Sequence, residues 1–201
     1  MSRFALGVAA LAFVAVMPPA AAQDQPVRVR GMIERIDDGL YIVKARNGSE
    51  HKVKLADNGA VVALVKASLA DVKQGSYIGV SGMPQPDGSQ KALEIHIFPE
   101  AMRGTGDGHR PWDLQPSSTM TNGAVEQTSA SADGQVLTLK YKDGEKRIVV
   151  PADCPIVGYL PGDKSELKPG APIFISAAQK QSDGTLVTPR INVGRGTAPP
   201  M

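Results

Sequence analysis

Turn landmarks in this chain come in pairs about 95 residues apart. Asn47-Gly48 returns as Asp143-Gly144, and Asp87-Gly88 returns as Asp183-Gly184, each at an offset of 96. The stretch from Leu69 that stops at Gly75 returns as the stretch from Lys164 that stops at Gly170. Gly31-Met32-Ile33-Glu34 is echoed by Gly123-Ala124-Val125-Glu126, and Ile95 and Ile97 by Ile191 and Val193. Spacing this regular means that one small unit is written twice, so the fold has to accommodate two like sets of elements.

Each unit reads as short β-strands. Apolar alternation over 27–36, 40–45, 50–55, 77–83 and 91–98 is punctuated by Asn-Gly and Asp-Gly turn signals. Asp57-Asn58-Gly59 predicts another turn, and Ser68 caps a helical turn ended by Gly75. The last strand of each unit is expected to point Leu93, Ile95 and Ile97, or Val187, Ile191 and Val193, inward, with Pro189 breaking the second ladder. Glu34 and Glu126, which match between the copies, read as solvated surface groups. Five or six strands in roughly 70 residues close most simply as a small barrel of the OB type, which also removes exposed edges. The expected fold is all-β: two tandem OB-like barrels over 23–98 and 122–194, joined by a Gly/Pro-rich segment at 99–121, with a disordered tail at 195–201. A pair of small sandwiches, or one barrel-like sandwich assembled from both halves, is the other arrangement this pattern allows.

Residues 1–22 read as a cleavable export signal, with Arg3, an apolar run and Ala20-Ala21-Ala22 before Gln23. The run is about 14 residues, short of the roughly 20 needed to span a bilayer. A periplasmic location and no membrane span follow as expectations. Net charge is +2 and aromatics are 4 %, so neither an electrostatic footprint nor a stacking platform for nucleic acid is present. Cys154 is the only cysteine, so no internal disulfide can form and the cores must hold the fold. With no histidine near it in sequence, Cys154 reads as a buried or half-buried free thiol rather than a nucleophile.

The series Val-x-Gly-x-Ile-Glu, an apolar strand, Asn-Gly or Asp-Gly, Leu-Lys-x-Gly, and a closing Asp-Gly-x₃-Ala-x-x-Ile resembles the OB-like β-domains of secreted bacterial proteins, often found in tandem. The middle segment, 98–122, is similar to that of small exported proteins of alphaproteobacteria, some of which carry a metal-transporter label. The resemblance implies a fold and a compartment and no particular activity.

The middle segment concentrates the rare residues. His96, Met102, His109 and Met120 offer the imidazole and thioether ligands that suit copper(I) or another transition metal, and in residue type they resemble periplasmic copper chaperones that place methionine and histidine beside a tryptophan. His96 alternates with inward Ile95 and Ile97, so it is expected to point outward, in reach of this segment. Trp112, with Arg110 and Asp113, reads as a packing or interface group between the barrels. Arg103, Gly104, Gly106 and Gly108 read as a weak anion nest. No nucleophile–base pair or aromatic-lined pair of carboxylates stands out, so an enzyme is not expected. The reading is a non-enzymatic binding or scaffolding protein with an envelope protein as partner, or alternatively a metal-handling protein. No resident cofactor other than such a metal is expected.

Overall fold

Strand pairing follows neither half of the sequence alone. The computed structural model describes residues 26–131 and 134–197; the export signal read at 1–22 and the tail from 198 lie outside them. In chain order the strands are β1 (Val27–Asp37), β2 (Leu40–Ala45), β3 (Glu50–Ala67), β4 (Tyr77–Pro84), β5 (Gln90–Phe98), β6 (Gly108–Pro111), β7 (Thr119–Ser131), β8 (Gly134–Tyr141), β9 (Gly144–Pro151), β10 (Ile156–Pro161), β11 (Pro172–Lys180) and β12 (Leu186–Gly194). Three single 3₁₀ turns, at Leu69–Asp71, Glu100–Met102 and Lys164–Glu166, interrupt them. The chain is all-β, and among the described residues no helix is long and apolar enough to cross a membrane.

Five strands close a ring: β1 pairs β2, β2 pairs β3, β3 pairs β12 in parallel, β12 pairs β11, and β11 pairs β1. A second circuit runs β4–β5–β9–β8–β7 and back to β4, with β5 and β9 parallel. Each circuit therefore takes three strands from one half and two from the other. This differs from the expected consecutive barrels, because β4 and β5 leave the first three strands and close on β7–β9, while β11 and β12 return to β1–β3. The crossing runs where the C-terminal part of β3 lies antiparallel to β10, with Ala67 opposite Ile156 and Val62 opposite Pro161.

Matching positions of the two halves make like contacts. A Cβ on Gly31 would sit 2.1 Å from the Lys44 carbonyl oxygen, and one on Gly123 would sit 2.5 Å from that of Lys140. Only glycine lets β1 approach β2, and β7 approach β8, that closely. The Gly75 amide donates to the Val125 carbonyl, and the Gly170 amide to that of Ile33, both at 2.8 Å. The stretches that follow the first and third 3₁₀ turns thus dock on the opposite half.

Bulges fall at matching places and reset which side chains face inward. Pairing skips Glu34 on β1 and Glu126 on β7, so these two glutamates are bulge residues. It skips Leu93 on β5 and Pro189 on β12, again 96 residues apart. Ala92 and Leu186 consequently enter the cores in place of the expected Leu93 and Val187. Asp57-Asn58-Gly59 does not end a strand. β3 runs through it as a wide bulge, since Leu55 pairs Thr188 and the next partner, Arg190, faces Ala60.

One core gathers Ile33, Val53, Ile173, Ile175, Ile191 and Val193, and the other Ile78, Val80, Ile95, Leu139, Ile148 and Val150. Both draw on both halves, and each fully buried aliphatic side chain contributes about 1.5–3 kcal/mol by leaving water. Asp163 caps the third 3₁₀ turn by accepting from the Ser165 amide at 2.8 Å while Glu166 accepts from the Asp163 amide at 2.9 Å. The tail begins fastened, with Arg195 bidentate on Glu166 at 2.8 and 3.0 Å.

Candidate functional site

The middle segment is built into the fold rather than slung between barrels. After the Glu100–Met102 turn it adds β6 alongside β7, pairing His109 with Thr121 and Arg110 with Met120. Opposed residues of an antiparallel pair share a face. Arg110, Met120 and Trp112 therefore face one side of this ribbon, and His109 and Thr121 the other.

The Arg110 side closes a cavity of about 270 Å³ where the outer faces of the two rings meet. Its walls include pseudo-equivalent positions of the two units: His96 and Asn192, and Gly79 and Phe174. Phe98, Tyr159 and Trp112 supply further aromatic surface, and Arg28, Arg110 and Arg190 supply charge. No aspartate or glutamate lines it. His96 and Asn192 each interrupt an apolar strand, and both point away from their own core. Because the other ring covers that face, they are buried, 2 % and 3 % exposed.

His96 sits in a relay. Its Nδ1 is 2.8 Å from the Tyr159 hydroxyl, and its Nε2 is 3.3 Å from Oε1 of Glu94, itself 1 % exposed. In the neutral ring Nε2–H donates to Glu94 and Nδ1 accepts the Tyr159 proton. Burial, then the Glu94 charge, pushes the Tyr159 phenol above its ordinary range, so it stays a donor. Tyr159 also stacks on Phe98 with centroids 4.9 Å apart, and Phe98 meets Tyr77 at 5.7 Å.

Trp112 is held by cations. The Arg28 guanidinium lies 4.2 Å from the ring centroid, and those of Arg110 and Arg30 at 5.7 and 5.9 Å. Asp113 ties this segment to β1 through Arg30 at 2.7 Å and Arg28 at 3.4 Å. Burial opposes ionisation of Asp113, yet the Arg30 and Arg28 contacts outweigh it and hold the carboxyl below its usual range. Burial, then the Arg28 charge, lowers the Arg110 guanidinium from its ordinary value. Arg110 donates to the Gly106 carbonyl at 2.6 Å. Arg190 has no carboxylate partner among the described residues.

Several polar atoms here are buried without a hydrogen-bond partner among the described residues: Nε1 of Trp112, Nε of Arg30, and Oδ1 of both Asn122 and Asn192. The amide orientations are fixed, because Asn122 Nδ2 donates to the Thr105 carbonyl at 2.9 Å and Asn192 Nδ2 to that of Phe174 at 3.0 Å. Gly79 makes room for Asn122, since a Cβ there would lie 2.7 Å from its Oδ1.

The expected metal quartet does not converge as one set. His96 and Met120 line the same cavity, but both His96 nitrogens are engaged. His109 lies on the opposite face of β6–β7, its Nδ1 2.8 Å from Thr121 Oγ1, and Met102 sits in the 3₁₀ turn. Thr121 donates to Gln90 Oε1 at 2.7 Å, so it accepts from His109 Nδ1–H. Among the described residues no three His, Cys, Asp or Glu side chains are grouped to hold a metal.

The glycine-rich loop has the left-handed residues of a nest, with φ of 85° at Gly104, 58° at Gly106 and 121° at Gly108. Its charges are spent internally. Arg103 is bidentate on Glu100 at 2.6 and 2.8 Å and donates to the Gly75 carbonyl. Asp107 accepts from the Tyr77 hydroxyl at 3.1 Å and the Lys142 amide at 2.7 Å.

Arg28, Asn122, Tyr159, Phe174, Arg190 and Asn192 escaped the sequence reading. One signal was present: a polar residue between two core residues of a strand, at His96 and at its counterpart Asn192. Compared with known proteins, the chain matches no family model, no curated protein and no solved structure.

Proposed function

We propose that this chain is an exported, non-catalytic binding protein built on two OB-like barrels that exchange their last two strands, and that its ligand site is the cavity where the barrels meet. One observation carries the reading: Trp112, Asn122 and Asn192 line a cavity of about 270 Å³, and each carries a buried, unpartnered polar atom, Nε1, Oδ1 and Oδ1. An unmet buried polar group costs about 1–3 kcal/mol, and three beside one cavity make sense when a ligand meets them. The volume equals about nine waters at about 30 Å³ each, near the low end for small-molecule pockets.

The periplasmic assignment rests on the leader read at 1–22. Engagement of the relay atoms of His96 and Glu94 with each other and with Tyr159 supports positioning rather than turnover. An envelope protein would dock outside this cavity, so that role stays open to the same molecule.

The test is amide NMR with a fragment set of neutral, cationic and anionic compounds at about 5 mM, enough to detect affinities of about −3 to −4 kcal/mol. Binding is expected to shift the Gly79, Gly106 and Ser176 amides and the Asn122 and Asn192 side-chain amides together. A set in which no fragment moves this group rejects the site.

A further inference from the structure

We propose that the ligand of this cavity is a small organic anion with a planar apolar body and neutral hydroxyl or amide N–H donors. The inference rests on the cavity being a binding site and adds the chemical class.

Charge sets the sign. Arg28, Arg110 and Arg190 all line the cavity and no carboxylate does. The two nearest acids are already committed. Asp113 is shared between Arg30 and Arg28, and Glu94 lies behind the His96 ring. Arg110 donates to the Gly106 carbonyl and lies over Trp112, neither it nor Arg190 has a carboxylate partner among the described residues, and guanidinium is the group suited to carboxylate or phosphate oxygens. An ammonium or amidinium ligand would enter against Arg110 and Arg190, neither of which has a carboxylate partner among the described residues, a repulsion that low dielectric strengthens.

The unpartnered atoms set the remaining polarity. Trp112 Nε1–H is a donor and suits an anionic oxygen. Asn122 Oδ1 and Asn192 Oδ1 are acceptors, 4 % and 3 % exposed at the residue level, so the ligand must also bring donors. Those donors are neutral, because a cationic one would find no acid in the wall. A bare inorganic anion supplies too few donors and leaves the aromatic wall unfilled.

The wall sets the body. Phe98, Phe174, Tyr159 and Trp112 present flat apolar surface, and Gly79 and Gly106 add none of their own bulk. A planar fragment of about ten heavy atoms matches space for about nine waters.

The probes are 4-hydroxybenzoate, its methyl ester, 4-hydroxyphenyl phosphate, benzamidine and inorganic phosphate. Trp112 is the only tryptophan, so its fluorescence reports on the cavity directly, with the Asn122 and Asn192 side-chain amides as a second reading. The expected result is saturable binding of 4-hydroxybenzoate or 4-hydroxyphenyl phosphate. Whichever of the two binds tighter distinguishes a carboxylate from a phosphate source. Esterification should weaken binding at least about tenfold, as should Arg190→Met, which removes the charge and keeps the stem. An unchanged Tm for Arg190→Met shows that the fold is intact, and Arg110→Met gives a second reading should Arg190→Met unfold. The methyl ester or benzamidine binding as tightly as 4-hydroxybenzoate, or both arginine variants binding like the parent, overturns the anion assignment while leaving the cavity as a site. Inorganic phosphate binding as tightly as the aromatic probes overturns the planar body. If no probe shifts Trp112 emission or the asparagine amides at about 10 mM, the anion assignment and the site fail together.

Discussion

The Tyr159 hydroxyl lies 2.8 Å from Nδ1 of His96, joining the strand on which the chain crosses between rings to the strand that closes the second ring. Deleting that hydroxyl leaves Nδ1 of a residue only 2 % exposed without its partner. Tyr159→Phe is expected to cost about 1–3 kcal/mol while keeping the stack on Phe98, and Tyr159→Leu more. Urea midpoints of the two variants, at unchanged m-value, check the order. A Tyr159→Phe midpoint equal to the parent's means that the contact contributes nothing net.

The exchange of strands makes a stronger demand. Neither 23–98 nor 99–201 contains a complete ring, because β4 and β5 close on β7 and β9, and β11 and β12 on β1 and β3. Each fragment alone is expected to lack a cooperative unfolding transition, and the two expressed together to co-purify and regain it. If 23–98 alone folds cooperatively as a monomer, the first half closes on itself and the exchange is not required.

What could be read from sequence divides along this same line. Turn signals and strand order are local or nearly local, so Asn47-Gly48 and Asp143-Gly144 fall where hairpins were expected. Which strands close each ring is a choice between chemically similar partners. Val53 is as good a neighbour for Ile95 as for Leu186, and no spacing decides between them. The bulges at Leu93 and Pro189 reverse side-chain phase without any strong local mark at Leu93. The cavity was harder still. Trp112 and Arg110 were visible as rare or charged residues of the middle segment, but Arg190, Asn122 and Tyr159 become neighbours only after the crossing. Alternation places His96 outside its own core and in reach of the middle segment, and sequence does not show that another ring covers that outside face.

Shared cores predict shared unfolding. Ile175 belongs to one core and Ile148 to the other, both fully buried. Ile175→Ala and Ile148→Ala should each cost about 2–5 kcal/mol and should move a single transition, seen alike by Trp112 fluorescence and by far-ultraviolet dichroism. Two separated transitions in either variant refute the coupling. Met32→Ser, at a residue 49 % exposed, is the control and should stay within about 0.5 kcal/mol.

Acid sensitivity has two windows. Burial, then the charges of Lys146 and Arg110, lowers the His109 ring below its ordinary value. Its folded pKa is below the unfolded one, so its contribution is present above about pH 6.5 and is lost as pH falls through the folded value. Asp163 and Glu166 are also lowered, by the Ser165 contacts and by the Arg195 hydrogen bond respectively, so their contribution is lost below about pH 4. Urea midpoints from pH 8 to 3 should therefore fall in two stages, and His109→Gln should flatten the upper one. An upper stage as steep in His109→Gln as in the parent rules out His109 as its source.

Cys154 should be chemically quiet despite being only half buried. Burial, then the charges of Glu94 and Asp153, pushes its thiol up to about 12. At pH 8 that leaves a thiolate fraction of about 10⁻⁴, against about a quarter for an ordinary thiol near 8.5. The greater nucleophilicity of the more basic thiolate offsets part of this, so a disulfide reagent should react roughly 40- to 100-fold more slowly with the native chain than in urea. Its rate should rise tenfold per pH unit through pH 10 with no plateau. Native labelling complete within seconds at pH 8 refutes this, and would reopen Cys154 as a site of redox chemistry.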